Sequence, residues 1–103
     1  MDKDREKRAR EILRRAKLVK PGFVTTYGDL YPSAPRFAGN VLGQCDDPKV
    51  PWYRVVRADG TLAQGARQRE KLEAEGVPFA GPKVDMDVAW MPVSDPDERP
   101  PGR

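Results

Sequence analysis

The sequence predicts a mostly α-helical single domain with a small β-hairpin, arranged as a winged helix-turn-helix. The chain has 103 residues, a length typical of one domain with a modest core. Two short helical segments joined by a tight turn lie between residues 25 and 44, which indicates a helix-turn-helix. The turn signal Ala58-Asp59-Gly60 follows between two short β-prone stretches and predicts the hairpin.

The first predicted helix covers residues 2–19. Apolar residues recur in it at three- and four-residue spacing, and charged residues fill most other positions. Pro21 and Gly22 are expected to end it. Its apolar positions are Ala9, Ile12, Leu13, Ala16 and Val19.

The two helices of the helix-turn-helix are short. Thr25 and Thr26 are N-cap candidates for a helix that runs through residue 30 and stops before a proline. Ser33 is predicted to cap the second helix, residues 35–44, with Pro35 in its first turn. The inward residues of this second helix are expected to be Phe37, Val41 and Leu42.

The hairpin is predicted to pair residues 53–57 with residues 61–63 across the turn. A further helix is expected at residues 66–75, with Leu72 as its clearest apolar anchor and Gly76 as its end. A last strand is predicted from residue 84 to residue 90.

Two segments are predicted from these boundaries. Residues 1–91 are expected to form the winged-helix domain. Residues 92–103 are rich in proline, aspartate and arginine and are expected to be a disordered tail.

Composition excludes several kinds of site. The chain contains no histidine, so we expect neither histidine-based acid–base catalysis nor a His-ligated metal site, and no metal or cofactor. A single cysteine, Cys45, permits no disulfide within the chain and favours a reducing, cytoplasmic compartment. No apolar run is long enough for a membrane helix, and the N-terminus lacks the apolar core of a signal peptide. The net charge of +3 is compatible with a phosphate-binding face without demonstrating one.

Four segments in order resemble the DNA-binding domain of the O6-alkylguanine-DNA alkyltransferases over about residues 5–80. Residues 22–30 (GFVTTYGDL) resemble its start and residues 36–42 (RFAGNVL) its recognition helix. Residues 50–56 (VPWYRVV) resemble its active-site segment, which normally reads Pro-Cys-His-Arg-Val, and residues 58–63 (ADGTLA) continue the match. The resemblance implies a helix-turn-helix that binds the minor groove and flips a nucleotide.

The active-site segment departs from the repair enzymes at two positions. Trp52 stands where the family has its nucleophilic cysteine, and an indole cannot accept an alkyl group as a thiolate does. Tyr53 replaces the family's histidine. Tryptophan at the nucleophile position is similar to the pattern of the alkyltransferase-like proteins, which bind O6-alkylguanine without repairing it and pass it to nucleotide excision repair. The sequence therefore predicts a non-enzymatic member with no catalytic residue.

Site residues follow from the resemblance position by position. Arg36 matches the arginine that enters the duplex when the base leaves, and Tyr27 matches a tyrosine that contacts the phosphate beside the flipped nucleotide. Glu75 matches a glutamate that normally forms a hydrogen-bond relay with the histidine. The DNA-binding residues are predicted to be Tyr27, Arg36, Gly39 and Asn40, and the lesion pocket Trp52, Tyr53, Arg54, Gln64 and Gly65.

The expected partners are double-stranded DNA containing alkylated guanine and proteins of nucleotide excision repair, and the chain is expected to be a monomer without membrane association. Two alternatives stay open. In the first alternative, the chain is a winged-helix DNA binder without lesion specificity, and Tyr53 in place of the family's histidine favours it. Alternatively, it transfers alkyl groups to Cys45, although no histidine is available to activate that thiol.

Overall fold

A computed structural model describes residues 3–94 of the chain. The elements in order are α1 (Lys3–Lys17), β1 (Thr25–Thr26), α2 (Tyr27–Leu30), α3 (Pro35–Gln44), a 3₁₀ turn (Trp52–Arg54), β2 (Val55–Val56), α4 (Gly65–Ala74), β3 (Phe79–Ala80), β4 (Lys83–Val84) and α5 (Met86–Ala89). The predicted class, a mostly helical single domain with a small hairpin and a helix-turn-helix, is confirmed.

Local signals place the helix-turn-helix. Thr26 is the N-cap of α2: its hydroxyl accepts a hydrogen bond from the backbone N–H of Asp29, and the Asp29 carboxylate accepts one from the Thr26 N–H. The expectation that Ser33 caps α3 is wrong, because Ala34 occupies that position without a side-chain cap. Pro35 begins the helix there, since its fixed φ suits the first turn and its missing N–H costs nothing.

The predicted hairpin at residues 53–63 is corrected by the structure. Its turn exists, with the Gly60 N–H donating to the Arg57 carbonyl at 2.8 Å, but residues 61–63 form no strand. One backbone bond crosses the turn, from the Arg57 N–H to the Thr61 carbonyl at 3.0 Å, and Asp59 accepts hydrogen bonds from the Thr61 N–H and hydroxyl. Val55 and Val56 pair in parallel with Thr25 and Thr26, so this segment joins the helix-turn-helix.

The hairpin of the fold lies later in the chain, where β3 and β4 pair antiparallel around Gly81 and Pro82. α4 holds this hairpin through Arg69, which donates to the Gly81 carbonyl at 2.9 Å and covers the Phe79 ring at 4.1 Å. The strand predicted at residues 84–90 is correct only at its start. The amides of Val88 and Ala89 donate to the Asp85 carbonyl, and this closes the short helix α5.

The core consists of two clusters on either side of the β1–β2 pair. The first joins α1, α2 and α3, and its buried members are Ile12, Ala16, Leu30, Ala38, Leu42, Val50 and Val55. The second lies under α4 and the hairpin, and its buried members are Val24, Val56, Leu72, Val77, Val84 and Ala89.

The C-terminal boundary differs from the expected one. Val93 packs against the first cluster and Ser94 is buried, so the packed chain continues past residue 91. The remainder of the predicted tail, residues 95–103, lies outside the described residues. Within residues 3–94, no helix combines the length and apolar character required to cross a membrane.

Candidate nucleic-acid interface

α3 presents a polar face away from the core. Ala38 and Leu42 point inward, whereas Arg36 and Asn40, four residues apart and therefore on one side of the helix, are exposed. Neither exposed side chain has a hydrogen-bond or ion-pair partner within the described part of the chain. The two polar groups are consequently available to a ligand.

Tyr27 lies against this helix at the first position of α2. A Cβ at Gly39 would meet the Tyr27 ring at 3.8 Å, ordinary van der Waals contact, so the bare backbone of Gly39 leaves room beside the ring. Burial raises the pKa of the Tyr27 phenol, and the nearby Arg57 only partly opposes this. The hydroxyl therefore remains a proton donor at neutral pH, as a phosphate contact requires.

Trp52 lies in the 3₁₀ turn that follows the buried Pro51, and its side chain is half-buried. Its ring meets Tyr53 edge-to-face at 5.7 Å with an interplanar angle of 90°. The guanidinium of Arg67, in the first turn of α4, lies 5.1 Å from the Trp52 ring centroid. One side of the indole is thus covered by a cation.

Tyr53 and Arg54 both reach Glu75 at the end of α4. The Tyr53 hydroxyl donates to the Glu75 carboxylate at 3.1 Å, and Arg54 donates to both Glu75 oxygens, at 2.9 and 2.5 Å. The third nitrogen of Arg54 donates to the Val19 carbonyl at 2.9 Å. Arg54 therefore ties the segment to α4 and to the residues that follow α1, with one hydrogen bond from each of its three nitrogens.

The ion pair shifts the pKa values of its members. Hydrogen bonds from Arg54 hold the pKa of Glu75 below its usual value, against the opposing effect of burial. The hydrogen bonds that Arg54 donates to the Glu75 carboxylate raise the pKa of Arg54. Burial, together with the bond to Glu75, raises the pKa of Tyr53. The group at neutral pH is a carboxylate between a cation and a neutral phenol.

Gln68 is a structural residue that the sequence reasoning missed. Its side chain is 1% exposed, and its amide donates to the carbonyls of Tyr53 at 3.0 Å and Val55 at 2.8 Å. Its oxygen accepts the Gln64 N–H at 3.1 Å. A polar residue among charged neighbours carries no burial signal in the sequence, yet this glutamine joins the Trp52 segment to the loop before α4.

The predicted residues form two groups. Tyr27, Gly39 and the exposed Arg36 and Asn40 belong to the helix-turn-helix. Gln68 joins the turn that contains Trp52, Tyr53 and Arg54 to the backbone of Gln64. The exposed Gly65, whose φ is 61°, begins α4. The parallel pairing of β1 with β2 connects the groups, because Tyr27 directly follows one strand and the Trp52 turn directly precedes the other.

Comparison with known families matches residues 7–77 to the DNA-binding domain of 6-O-methylguanine DNA methyltransferases. The chain belongs to this family. The match spans both groups of predicted residues and contains the Trp52 segment. Within the family, the chain is an alkyltransferase-like protein, as its curated and structural relatives indicate.

The curated relatives of this alkyltransferase-like chain are DNA base-flipping proteins. The protein of Vibrio parahaemolyticus is 36% identical over 69 residues, covering 57% of this chain and 69% of its own length. That of Escherichia coli is 40% identical over 73 residues, covering 61% of this chain and 57% of its own length. The chain therefore aligns with only part of each relative.

Solved structures give a fold match over most of the chain. S. pombe Atl1 in complex with damaged DNA containing O6-carboxymethylguanine superimposes with a TM-score of 0.74 at 25% identity, covering 89% of this chain and 100% of that one. A second S. pombe structure, also with DNA, gives a TM-score of 0.68 at 24% identity and supports the fold.

Proposed function

We propose that this alkyltransferase-like chain binds the minor groove of DNA, flips O6-alkylguanine into a pocket beside Trp52 and marks it for nucleotide excision repair without removing the alkyl group. The feature that carries the proposal is Trp52, which the sequence resemblance places where the family has its nucleophile. An indole offers a stacking face for a purine and no atom that takes up an alkyl group. The base-flipping relatives and the Atl1 complex support this reading.

The exposed face of α3 supplies the means to flip a nucleotide. Arg36 lies in the first turn of the helix, and its exposed guanidinium has no partner among residues 3–94. A guanidinium fills the space of an extruded base by stacking and by bonding the orphaned partner base. O6-alkylation weakens the original pair, so extrusion of the lesion costs less free energy than extrusion of guanine.

The Trp52 segment is held firmly enough to receive a base. Gln68 fixes the backbone on both sides of Arg54, and Arg54 with Tyr53 is anchored on Glu75. A pocket wall whose backbone is fixed loses little entropy when it binds. Arg67 covers the indole in the free protein, and we expect it to give way to the flipped base or to bond it.

The test compares the affinity of the chain for an O6-methylguanine duplex with that for the same duplex containing guanine, at one salt concentration. We expect a preference for the lesion that Arg36→Ala abolishes, with lesion affinity falling by on the order of ten-fold, about 1.4 kcal/mol. Arg10→Ala removes the same charge from the exposed side of α1 and should keep the preference. Equal wild-type affinity for both duplexes would favour a winged-helix binder without lesion specificity.

The absence of alkyl transfer has its own measurement. Cys45, the single cysteine, packs against the first core cluster at the end of α3. After incubation with alkylated DNA, intact-protein mass spectrometry should find an unmodified chain and undamaged Cys45. An alkyl adduct on Cys45 would establish the chain as an enzyme and contradict the proposal.

A further inference from the structure

α1 and Tyr31, the residue that follows α2, line an open cleft of about 290 Å³. Its walls are formed by Lys7, Arg8, Glu11, Arg15 and Tyr31. Three cationic side chains thus face one carboxylate and one phenol. None of these residues belongs to the predicted DNA-binding or pocket sets.

The charges at the inner wall of the cleft are already matched. Arg15, buried on α1, donates to Glu11 at 2.9 Å and to the Leu30 carbonyl at 3.2 Å. Glu11 also accepts two hydrogen bonds from Arg14, at 3.0 and 2.6 Å. The bonds from Arg14 and Arg15 lower the pKa of Glu11 to about 2, so it stays ionised and is occupied by its own helix.

Lys7 and Arg8 at the outer wall of the cleft, unlike Arg15 and Glu11, have charges that no neighbouring group matches within residues 3–94. Both are exposed, and neither has a hydrogen bond, ion pair or ring contact within residues 3–94. They are adjacent in sequence, and both line the same cleft. The cleft therefore carries a surplus of positive charge that the protein leaves unmatched.

The cleft adjoins the first turn of α3. Tyr31 from its wall packs edge-to-face on Phe37 at 5.7 Å, and Phe37 directly follows Arg36. Arg5, one turn before the cleft residues on α1, covers the same Phe37 ring at 4.8 Å. The basic wall is thus continuous with the helix that we propose enters the groove.

We propose that Lys7 and Arg8 bind a phosphate of the DNA backbone on one flank of the lesion, so that α1 extends the footprint beyond the helix-turn-helix. The proposal takes its DNA partner from the proposed function. A lysine ammonium and an arginine fork are the groups that bind phosphate oxygens best. The Tyr31 phenol adds a donor at the wall. Such a contact positions the protein on the duplex and carries no sequence or lesion information.

The first test is the salt dependence of binding for the double variant Lys7→Ala/Arg8→Ala. One lost phosphate contact should reduce the slope of log K against log salt by about 0.9. Affinity should fall by the same factor for lesion and undamaged duplexes. The control Arg10→Ala/Lys20→Ala removes the same charge from exposed positions outside the cleft and should keep the wild-type slope. Circular dichroism confirms that each variant is folded.

The second test locates the phosphate. Neutral methylphosphonate linkages are placed one at a time along both flanks of the lesion. At one linkage the wild type should lose affinity while the double variant loses none. If the slope is unchanged, or if no linkage distinguishes the two proteins, the basic wall serves another partner, such as an acidic protein surface, and the inference is overturned. Failure of this inference would leave the preference of the chain for the lesion duplex intact. Conversely, a chain that shows no lesion preference but keeps the Lys7–Arg8 phosphate contact would overturn the proposed function and not this inference.

Discussion

Tyr53 is linked to Glu75, and the sequence resemblance implies that it stands where the family has a histidine. Its hydroxyl donates to the glutamate that the resemblance assigns to the relay, so the side chain points to α4. The sequence alone left its direction open, because both orientations suit an aromatic residue after Trp52. With Arg54 on the same carboxylate, the three residues form a structural clamp beneath the Trp52 segment.

The clamp makes stability depend on pH. Glu75→Gln should lower the free energy of unfolding at pH 7 by about 2 kcal/mol, since it removes charge-assisted hydrogen bonds. The folded-state pKa of Glu75 lies below its unfolded value, so its contribution is full above the unfolded pKa. It is lost as pH falls through the folded pKa.

Urea unfolding of wild type and Glu75→Gln between pH 7 and pH 3 checks this expectation. The difference in free energy should narrow as the pH drops below about 4.5, near the ordinary pKa of a glutamate. Glu73→Gln, which breaks an exposed pair with Arg69, should change stability by less than about 1 kcal/mol. If the difference in unfolding free energy between wild type and Glu75→Gln stays constant with pH, the charge of the carboxylate contributes nothing to stability.

At the scale of elements, α4 organises the site from behind. It carries Gln68 to the backbone of the Trp52 segment, Glu75 to Arg54, and Arg67 to the indole face. It also holds the hairpin through Arg69. One helix therefore supports both the proposed pocket and the β3–β4 hairpin, although its sequence is that of an ordinary charged surface helix.

Gln68→Met tests this role of α4, because methionine has a similar size and no donor. Two buried carbonyls lose their partner, which should cost about 2–4 kcal/mol of unfolding free energy. We expect a lower urea midpoint, with faster amide hydrogen exchange at residues 52–56. Gln44→Met alters an exposed glutamine at the end of α3 and should leave both readouts unchanged. A Gln68→Met variant as stable as wild type would contradict the assignment.

Local chemistry determined which elements the sequence could predict. α2 and α3 were predictable because Thr26 and Pro35 mark their starts by capping and fixed φ. The β1–β2 pair joins residues 30 positions apart, Thr25 with Val55, and no local signal encodes such a partner. Gln68 was missed since its burial depends on two distant carbonyls.

For the whole molecule, the two core clusters meet at the β1–β2 pair and fix the helix-turn-helix relative to the Trp52 segment. Three parts of this frame are proposed to face DNA: Arg36 on α3, the pocket beside Trp52, and the cleft lined by Lys7 and Arg8 on α1. The family and the fold were predictable from the order of the motifs. The α1 cleft was not, because a basic helix reads equally well as a solvated face.

The claim that a flipped base stacks on Trp52 is tested most directly by tryptophan fluorescence. The chain has two tryptophans, so Trp90→Phe leaves Trp52 as the single reporter. The variant loses the Trp90 hydrogen bond to Asp29, and its fold is first verified by circular dichroism. At saturating DNA, an O6-methylguanine duplex should quench Trp52 emission much more than the matched guanine duplex. Equal quenching by the two duplexes would contradict the account.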